Sequence, residues 1–273
     1  MLHRELSAYA LVMACALIAP AGARAHGDLH AQIDAATRAI ALHPRDARLY
    51  HKRGELHRAH GDYPTALADY ARAQRIDPSL NVVHLSWGRA LLEAGEPSAA
   101  LVELNAFLAR QPEHEEGRLL RARARARSGQ RAAAERDFAA VVQRSGDPTP
   151  DLVLERAANL RGAGDAPAAL AAIEAGLSRL GPLIVLDEAA LAIELELAQY
   201  EAALRRLGRL IERAPRKETW LARKAIVLER AGQPTAAAQA RAQALQAIAQ
   251  LPRFQRDVPA MQALARSLQR PQP

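Results

Sequence analysis

The chain has 273 residues and a formal net charge of +7, with 37 Lys and Arg against 30 Asp and Glu. Aromatic residues make up only 4% of it, whereas the helix formers Ala, Leu, Arg, Glu and Gln dominate. This composition excludes a β-rich fold and indicates an all-α protein. Because nearly every charge has an opposite neighbour, the small basic excess fits a soluble helical surface better than a dedicated nucleic-acid binder.

Residues 1–25 are predicted to be a secretory signal peptide. The apolar stretch from Ala8 to Ala19 is too short to span a membrane as a stable anchor, and Pro20 ends it. Ala23-Arg24-Ala25 then supplies the small-x-small pattern of a cleavage site. We therefore expect a mature chain that begins at His26, is periplasmic or secreted from a bacterial cell, and has no stable membrane span. An uncleaved N-terminal anchor is the alternative.

The single cysteine, Cys15, lies inside this apolar stretch. Val12-Met13-Ala14-Cys15 has the outline of a bacterial lipoprotein box, but apolar residues continue beyond Cys15, where a lipidated chain should turn polar. Signal cleavage is therefore favoured over lipidation. The mature chain would have no thiol, which excludes a disulfide, a thiolate metal site and a cysteine nucleophile.

An amphipathic helix is predicted next, within residues 26–46. Leu29, Ile33, Ala36 and Ile40 fall on one helical stripe, and His43-Pro44 ends the segment. We expect this helix to cap one end of the structure that follows.

Residues 47–251 repeat with a period of 34 residues, which lengthens once to 35. The first unit contains a bulky residue, a Gly, a ring, a small residue, an aromatic residue and a closing Pro: Tyr50, Gly54, His57, Ala66, Tyr70 and Pro78. A turn residue recurs in every unit, at Gly61, Gly95, Gly129, Gly164, Ala198 and Gly232. Each unit therefore predicts two helices, A and B, on either side of a tight turn.

This pattern resembles the tetratricopeptide repeat. The resemblance covers about six repeats: 47–80, 81–114, 115–148, 149–183, 184–217 and 218–251. It implies an all-α fold, a right-handed superhelical α-solenoid of antiparallel helix pairs. Residues 252–273 would form a C-terminal capping helix and a disordered tail, since the ends of such a stack need a polar outer face.

The resemblance also implies a partner-binding groove lined by helix A, at its second, fifth, sixth, ninth, twelfth and thirteenth residues. The candidate groove residues at these positions in the first four repeats are Arg48, His51, Lys52, Glu55, Arg58, Leu85, Arg89, Leu92, Leu119, Arg123, Arg127 and Arg161. We expect a basic groove with apolar patches, suited to an acidic or amphipathic protein or peptide segment. The groove of repeats five and six is more mixed. The alternative is that the arginines only solubilise the chain.

Some proteins with this repeat clamp a C-terminal carboxylate with Lys, Asn and Arg at set groove positions. Here those positions hold His51, Glu55, Ser86, Glu116 and Leu120. The pattern is not met, so binding of that kind of tail is not expected.

No enzymatic motif is found in the sequence, which has neither a phosphate-binding Gly-rich loop nor a Gly-x-Ser-x-Gly or His-Glu-x-x-His pattern. Its carboxylates are interpreted as solvated partners of nearby arginines, such as Glu135 with Arg131 and Glu229 with Arg230. We therefore expect a protein that is not an enzyme and needs no cofactor.

Histidines are concentrated near the predicted mature N-terminus, where six of the nine fall between His26 and His60. His26 with His30, and His57 with His60, have spacings that can chelate copper or zinc. The alternative is that His57 fills an inter-helix slot and the others are exposed; such a surface could also respond to pH.

A run of alternating arginines, Arg121, Arg123, Arg125 and Arg127, invites a nucleic-acid interpretation. Alternation places Arg121 and Arg125 on one side of a helix and Arg123 and Arg127 on another. No aromatic residues interleave to stack on bases, so we expect no nucleic-acid partner. The favoured function is an exported protein-interaction scaffold or adaptor, and a metal-binding accessory protein is the alternative.

Overall fold

The computed structural model describes residues 21–146 and 148–269, with side chains from Asp28 onwards. These residues form fifteen α-helices and no strand, so the predicted all-α fold is confirmed. In chain order the helices are α1 (Ala21–Leu42), α2 (Ala47–Ala59), α3 (Tyr63–Ile76), α4 (Val82–Glu93), α5 (Pro97–Arg110), α6 (Glu115–Arg127), α7 (Arg131–Arg144), α8 (Pro150–Gly162), α9 (Ala166–Leu180), α10 (Ile184–Glu196), α11 (Tyr200–Arg213), α12 (Glu218–Arg230), α13 (Pro234–Ala249), α14 (Arg253–Arg256) and α15 (Pro259–Gln269).

Several predictions about the termini lie outside the described residues. These are the signal peptide up to Pro20, the possible lipidation of Cys15, the side chain of His26, and the tail 270–273. Among the helices that are described, none is long and apolar enough to cross a membrane.

The helices divide between two compact units, Met1–Arg110 and Gln111–Pro273. In the first unit, helix α1 packs on α2, and the hairpins α2–α3 and α4–α5 pack on each other through α3 and α4. The second unit contains the hairpins α6–α7, α8–α9, α10–α11 and α12–α13, followed by α14 and α15. Each hairpin corresponds to one predicted repeat, with helix A first. The repeat boundaries themselves remain an interpretation of the sequence.

The turn inside each hairpin has the same backbone conformation in all six. Its turn residue has a positive φ, which is 82° at Gly61 and 71° at Gly232. The next residue donates its N–H to a carbonyl five residues back, as Asp62 does to His57 at 2.9 Å and Gln233 to Leu228 at 2.9 Å. This is the Schellman ending of a helix, for which Gly is favoured because it has no Cβ.

Close approach of helices A and B depends on glycine in the first two hairpins. A Cβ at Gly54 would lie 2.7 Å from Cε1 of Tyr70, and one at Gly88 would lie 2.6 Å from Cγ of Leu104. Tyr70 and Leu104 fill the space so created and are themselves fully buried. These small residues therefore set the spacing of the hairpins, as the sequence pattern predicts.

Buried ion pairs also join helices A and B. Arg53 on α2 donates two hydrogen bonds to Asp69 on α3, at 2.8 and 2.7 Å. In the third hairpin Asp137 accepts from both Arg121 and Arg125, which confirms that these two arginines share one helix side. Arg121 and Arg125 therefore join the two helices of the hairpin and do not form a surface for nucleic acid.

Two predicted ion pairs have other partners in the structure. Glu135 pairs with Arg156 at 2.7 Å instead of Arg131. Glu229 pairs with Arg241 on α13 instead of Arg230. The predicted pairings are wrong in both cases, because the partner arginine comes from a helix that packs alongside. Spacing along one helix cannot reveal such a partner.

Candidate functional site

All twelve predicted groove residues lie on A helices: α2, α4, α6 and α8. Their exposure differs widely. Leu85 and Leu92 on α4 are only 6% and 4% exposed, so they pack inside the stack and offer no surface to a partner. Arg48, Lys52, Arg127 and Arg161 are exposed, and the remaining six are half-buried.

Most of the predicted groove arginines pair with glutamates on a neighbouring A helix. In the first unit Arg58 binds Glu93 at 2.8 Å and Arg89 lies 3.6 Å from Glu55. Similar pairs in the second unit join Arg123 to Glu155, Arg161 to Glu196 and Arg223 to Glu188. The A-helix face is therefore much closer to charge balance than its arginines alone indicate.

The A-helix face of the first unit carries a connected set of polar side chains. His51 Nε2 lies 2.8 Å from Ser86 Oγ, which links α2 to α4. Tyr70 donates its hydroxyl proton to Glu55. Burial by itself would raise the pKa of Glu55, but this hydrogen bond and the Arg58 guanidinium outweigh it and lower that pKa. Burial also lowers the pKa of His51, an effect that Glu55 opposes and Arg89 reinforces.

A polar cleft of about 500 Å³ lies between α6 and α8. We call it the α6–α8 cleft. Its lining residues are Arg123, Ala126, Arg127, Arg131, Phe138, Glu155, Ala158 and Asn159. It brings together two of the predicted groove residues, Arg123 and Arg127, and adds Arg131 from the first turn of α7. Three arginines and one carboxylate line the cleft, so its net charge is positive.

Asn159 provides a hydrogen-bond acceptor in this cleft. It is 3% exposed, and its Nδ2 donates to the backbone carbonyl of Arg131 at 3.0 Å, which orients the amide. Its Oδ1 is buried and accepts no hydrogen bond from any residue that the structure describes. A buried acceptor without a donor costs free energy.

Sequence reasoning missed Asn159, although the repeat contains a signal for it. Asn159 stands five residues before the turn residue Gly164, a position that is apolar in every other repeat: Leu56, Ala90, Ala124, Ile193 and Val227. A polar residue at a position that is apolar in the other repeats indicates that this residue has a role of its own.

A second, apolar pocket of about 380 Å³ lies between α10 and α12. We call it the α10–α12 pocket. It is lined by Glu188, Leu191, Ala192, Leu195, Arg223, Ile226, Val227 and Arg230. The sequence analysis treated this part of the groove as mixed in charge and did not single out its apolar residues. Applying the same helix-A positions to repeats five and six would have included Ala192, Leu195 and Ile226.

Two of the four candidate metal ligands meet in the structure. The rings of His30 and His60 contact each other edge to face, with centroids 4.6 Å apart. The Nδ1 of His57 instead lies 3.4 Å from Oδ2 of Asp62. No group of three His, Cys, Asp or Glu side chains that could hold a metal occurs among the described residues. Metal binding that involves His26 stays a prediction, because that side chain lies outside them.

Comparison with known families supports the sequence pattern. A family model described as "Tetratricopeptide repeat" matches residues 22–81 and 85–151. These residues therefore match the tetratricopeptide repeat, as the resemblance implies. No curated protein compared with the chain is similar enough in sequence to be a relative.

Solved structures share the fold at low sequence identity. A tetratricopeptide repeat protein from Parabacteroides merdae ATCC 43184 is 16% identical, with a TM-score of 0.56 over 90% of this chain and 94% of the other. YrrB, described as a TPR protein with an unusual peptide-binding site, is 17% identical, with a TM-score of 0.53 over 61% and 85%.

A third similar structure, Naa15/Naa10 bound to HypK-THB, is 15% identical, with a TM-score of 0.58 over 90% of this chain. The chain spans only 39% of that larger chain. At these identities the likeness establishes the fold alone, which is an all-helical solenoid of tetratricopeptide type.

Proposed function

We propose that the protein is an exported, non-enzymatic interaction scaffold that binds an acidic segment of a partner protein in the α6–α8 cleft. Tetratricopeptide repeats typically form non-catalytic scaffolds that bind proteins or peptides. YrrB, which has the same fold, is described as having a peptide-binding site. The observation that carries the proposal is the α6–α8 cleft, in which three arginines face one carboxylate.

Each lining residue has a distinct role in this proposal. Asn159 forms part of the cleft wall, where the hydrogen bond from its Nδ2 to the backbone carbonyl of Arg131 holds the first turn of α7 against α8. Arg131 binds an acidic side chain of the partner segment, because its guanidinium packs against Gly162 and pairs with no carboxylate among the described residues. Arg123 keeps its two hydrogen bonds to Glu155, at 2.8 and 2.9 Å, and holds the cleft open between α6 and α8.

Site-specific photo-crosslinking tests this proposal in cells that make the protein. A photoreactive amino acid placed at Ala158, an exposed cleft residue, should form a covalent adduct with a partner protein. The same amino acid at Ala132, exposed on α7 and outside the cleft, should not. Mass spectrometry of the adduct identifies the partner and the contacted segment.

A charge reversal provides the matched control. Arg131→Glu should abolish the adduct at Ala158, whereas Arg136→Glu, the same change on the exposed face of α7, should retain it. Equal adducts at Ala158 and Ala132, or an adduct that survives Arg131→Glu in a folded protein, would contradict binding in this cleft.

Export is the second part of the proposal. Its support is the apolar stretch from Ala8 to Ala19 followed by Ala23-Arg24-Ala25. N-terminal sequencing of the protein purified from its own cells should begin at His26, and the protein should fractionate with the periplasm or the medium. A chain that keeps Met1 in the cytoplasmic fraction would contradict export without affecting the cleft.

A further inference from the structure

We propose that the α10–α12 pocket is a separate docking site that takes one bulky apolar side chain of a peptide whose neighbouring residue is acidic. The acidic residue would pair with Arg230. This inference rests on the proposed function as an interaction scaffold, but it uses none of the residues of the α6–α8 cleft.

Apolar side chains form the floor and wall of the pocket. Leu191 and Val227 are 4% and 1% exposed and belong to one packed cluster between α10 and α12. Ile226 stands at the edge of the pocket and is 48% exposed, unlike the buried Val227 beside it. Covering Ile226 would remove apolar surface from water, which is favourable. The pocket therefore offers an apolar anchor point on an A-helix face that is otherwise dominated by ion pairs.

The size of the pocket limits what it can hold. At about 380 Å³ it lies near the lower end of the range for ligand pockets, which is about 300 to 1,000 Å³. It can accept a single large side chain or a fragment of comparable size. Apolar side chains at regular spacing are the anchors with which peptide segments bind grooves between helices.

The charged side chains at the rim of the pocket determine which charge a partner should carry. Glu188 is occupied by Arg223 at 2.9 Å, and Arg223 also lies 5.0 Å from the centroid of the Trp220 ring. Glu196 is occupied by Arg161 on the preceding A helix. Arg230, by contrast, is exposed and forms no hydrogen bond or ion pair with the residues that the structure describes. The unbalanced charge at the pocket is positive, so an acidic residue beside the apolar anchor is complementary.

Selection from a random peptide library on the immobilised full-length protein tests the inference. Enriched peptides should share a bulky apolar residue next to Asp or Glu. Ile226→Asp should weaken the selected peptides at least about tenfold, as expected for a central apolar contact. Val102→Asp, the same kind of change at an aliphatic residue that is 66% exposed on α5, should leave their affinity unchanged.

A charge swap tests the role of Arg230 directly. Selection on Arg230→Glu should enrich Lys or Arg in place of the acidic residue while keeping the apolar anchor. Circular dichroism and thermal unfolding establish that Ile226→Asp and Arg230→Glu are folded; both residues are exposed, so neither change disturbs the core.

Three outcomes would overturn the inference. They are enriched peptides without the apolar and acidic pair, equal binding to folded Ile226→Asp, and self-association of the wild type that Ile226→Asp abolishes, since a second copy would then occupy the pocket. Arg131→Glu should leave this selection unchanged. Failure at the α6–α8 cleft and failure at the α10–α12 pocket are therefore distinguishable.

Discussion

Arg206 shows most clearly how individual charges shape this protein. It is 2% exposed and bonds to Glu194, Asp187 and Glu174. Burial alone would lower the pKa of Arg206, but the hydrogen bonds to these carboxylates raise it above its ordinary value. In the third hairpin the equivalent pair is Arg125 with Asp137, so the two hairpins use the same positions with the charges exchanged.

Arg206→Met should lower the free energy of unfolding by about 3 to 5 kcal/mol, because Asp187 and Glu194 would stay buried without a cation. Urea unfolding followed by circular dichroism measures this change. Arg205→Met is the control, since Arg205 lies on the exposed side of the same helix and is 3.9 Å from an exposed glutamate. It should change stability by less than about 0.5 kcal/mol. Equal losses in the two variants would show that the buried ion pairs are not what stabilises α11.

His51 predicts how the first unit responds to pH. Burial lowers its pKa in the folded protein, so the folded state binds a proton less readily than the unfolded state does. The stability that His51 contributes is therefore present above the unfolded pKa, about 6.5, and is lost as pH falls through the folded value.

Urea unfolding between pH 7 and pH 5 should therefore show a loss of stability that His51→Gln reduces. Gln can still reach a partner on α4 but carries no titrating group in this range. Lys52→Gln, a change at the exposed neighbour on α2, should keep the wild-type pH dependence. Identical slopes for wild type and His51→Gln would assign the acid sensitivity to another group.

At the scale of the element, the hairpin turn is the most regular feature of the chain. Five of the six turns use Gly at positive φ. The exception is the turn of the hairpin α10–α11, which uses Ala198 at a φ of 53°. Gln199 still donates its N–H to the backbone carbonyl of Glu194 at 2.8 Å, so this turn keeps the hydrogen bond of the Schellman ending. A side chain with a Cβ is strained in this conformation.

Ala198→Gly should therefore stabilise the protein by roughly 0.5 to 1 kcal/mol, because relief of strain exceeds the added freedom of Gly in the unfolded chain. The reciprocal change, Gly232→Ala, should destabilise by about 1 kcal/mol. Thermal unfolding of the two variants gives the comparison. A lower Tm for Ala198→Gly would mean that the φ at this turn is not strained in solution.

At the scale of the whole molecule, helix α15 covers the last hairpin, α12–α13. Met261 on α15 is buried, and Leu264 and Leu268 pack on a cluster formed by Leu221, Ala222 and Ala244. In a stack of repeats each unit contacts only its neighbours, so the last one needs such a cover. The sequence predicts a capping helix in this segment.

Leu264→Asp should reduce stability by about 2 kcal/mol and promote aggregation, because it places a charge against that apolar cluster. Ala263→Asp, one residue earlier on the exposed side of α15, should have little effect. Thermal unfolding and light scattering distinguish the two. If both variants behave like the wild type, α15 is not needed as a cover.

The sequence by itself determined the helical class, the six turns and the residues that pack within each hairpin. These features repeat at a set spacing and depend on local rules: Gly or its substitute at positive φ, small residues where helices approach, and Pro at helix starts. Each of these is decided by residues close together in the chain, so one repeat predicts the next. The resemblance to the tetratricopeptide repeat adds a groove on the A helices, which stays a prediction.

Only the tertiary structure decided the charge balance of the A-helix face and the place of its pockets. Arg58 pairs with Glu93 and Arg161 with Glu196, 35 residues apart in both cases, so neither pairing follows from helical spacing. The burial of Leu85 and the exposure of Ile226 also depend on which helix packs alongside each residue. Contacts between successive hairpins are set by packing across the stack, which the order of residues within one helix does not specify.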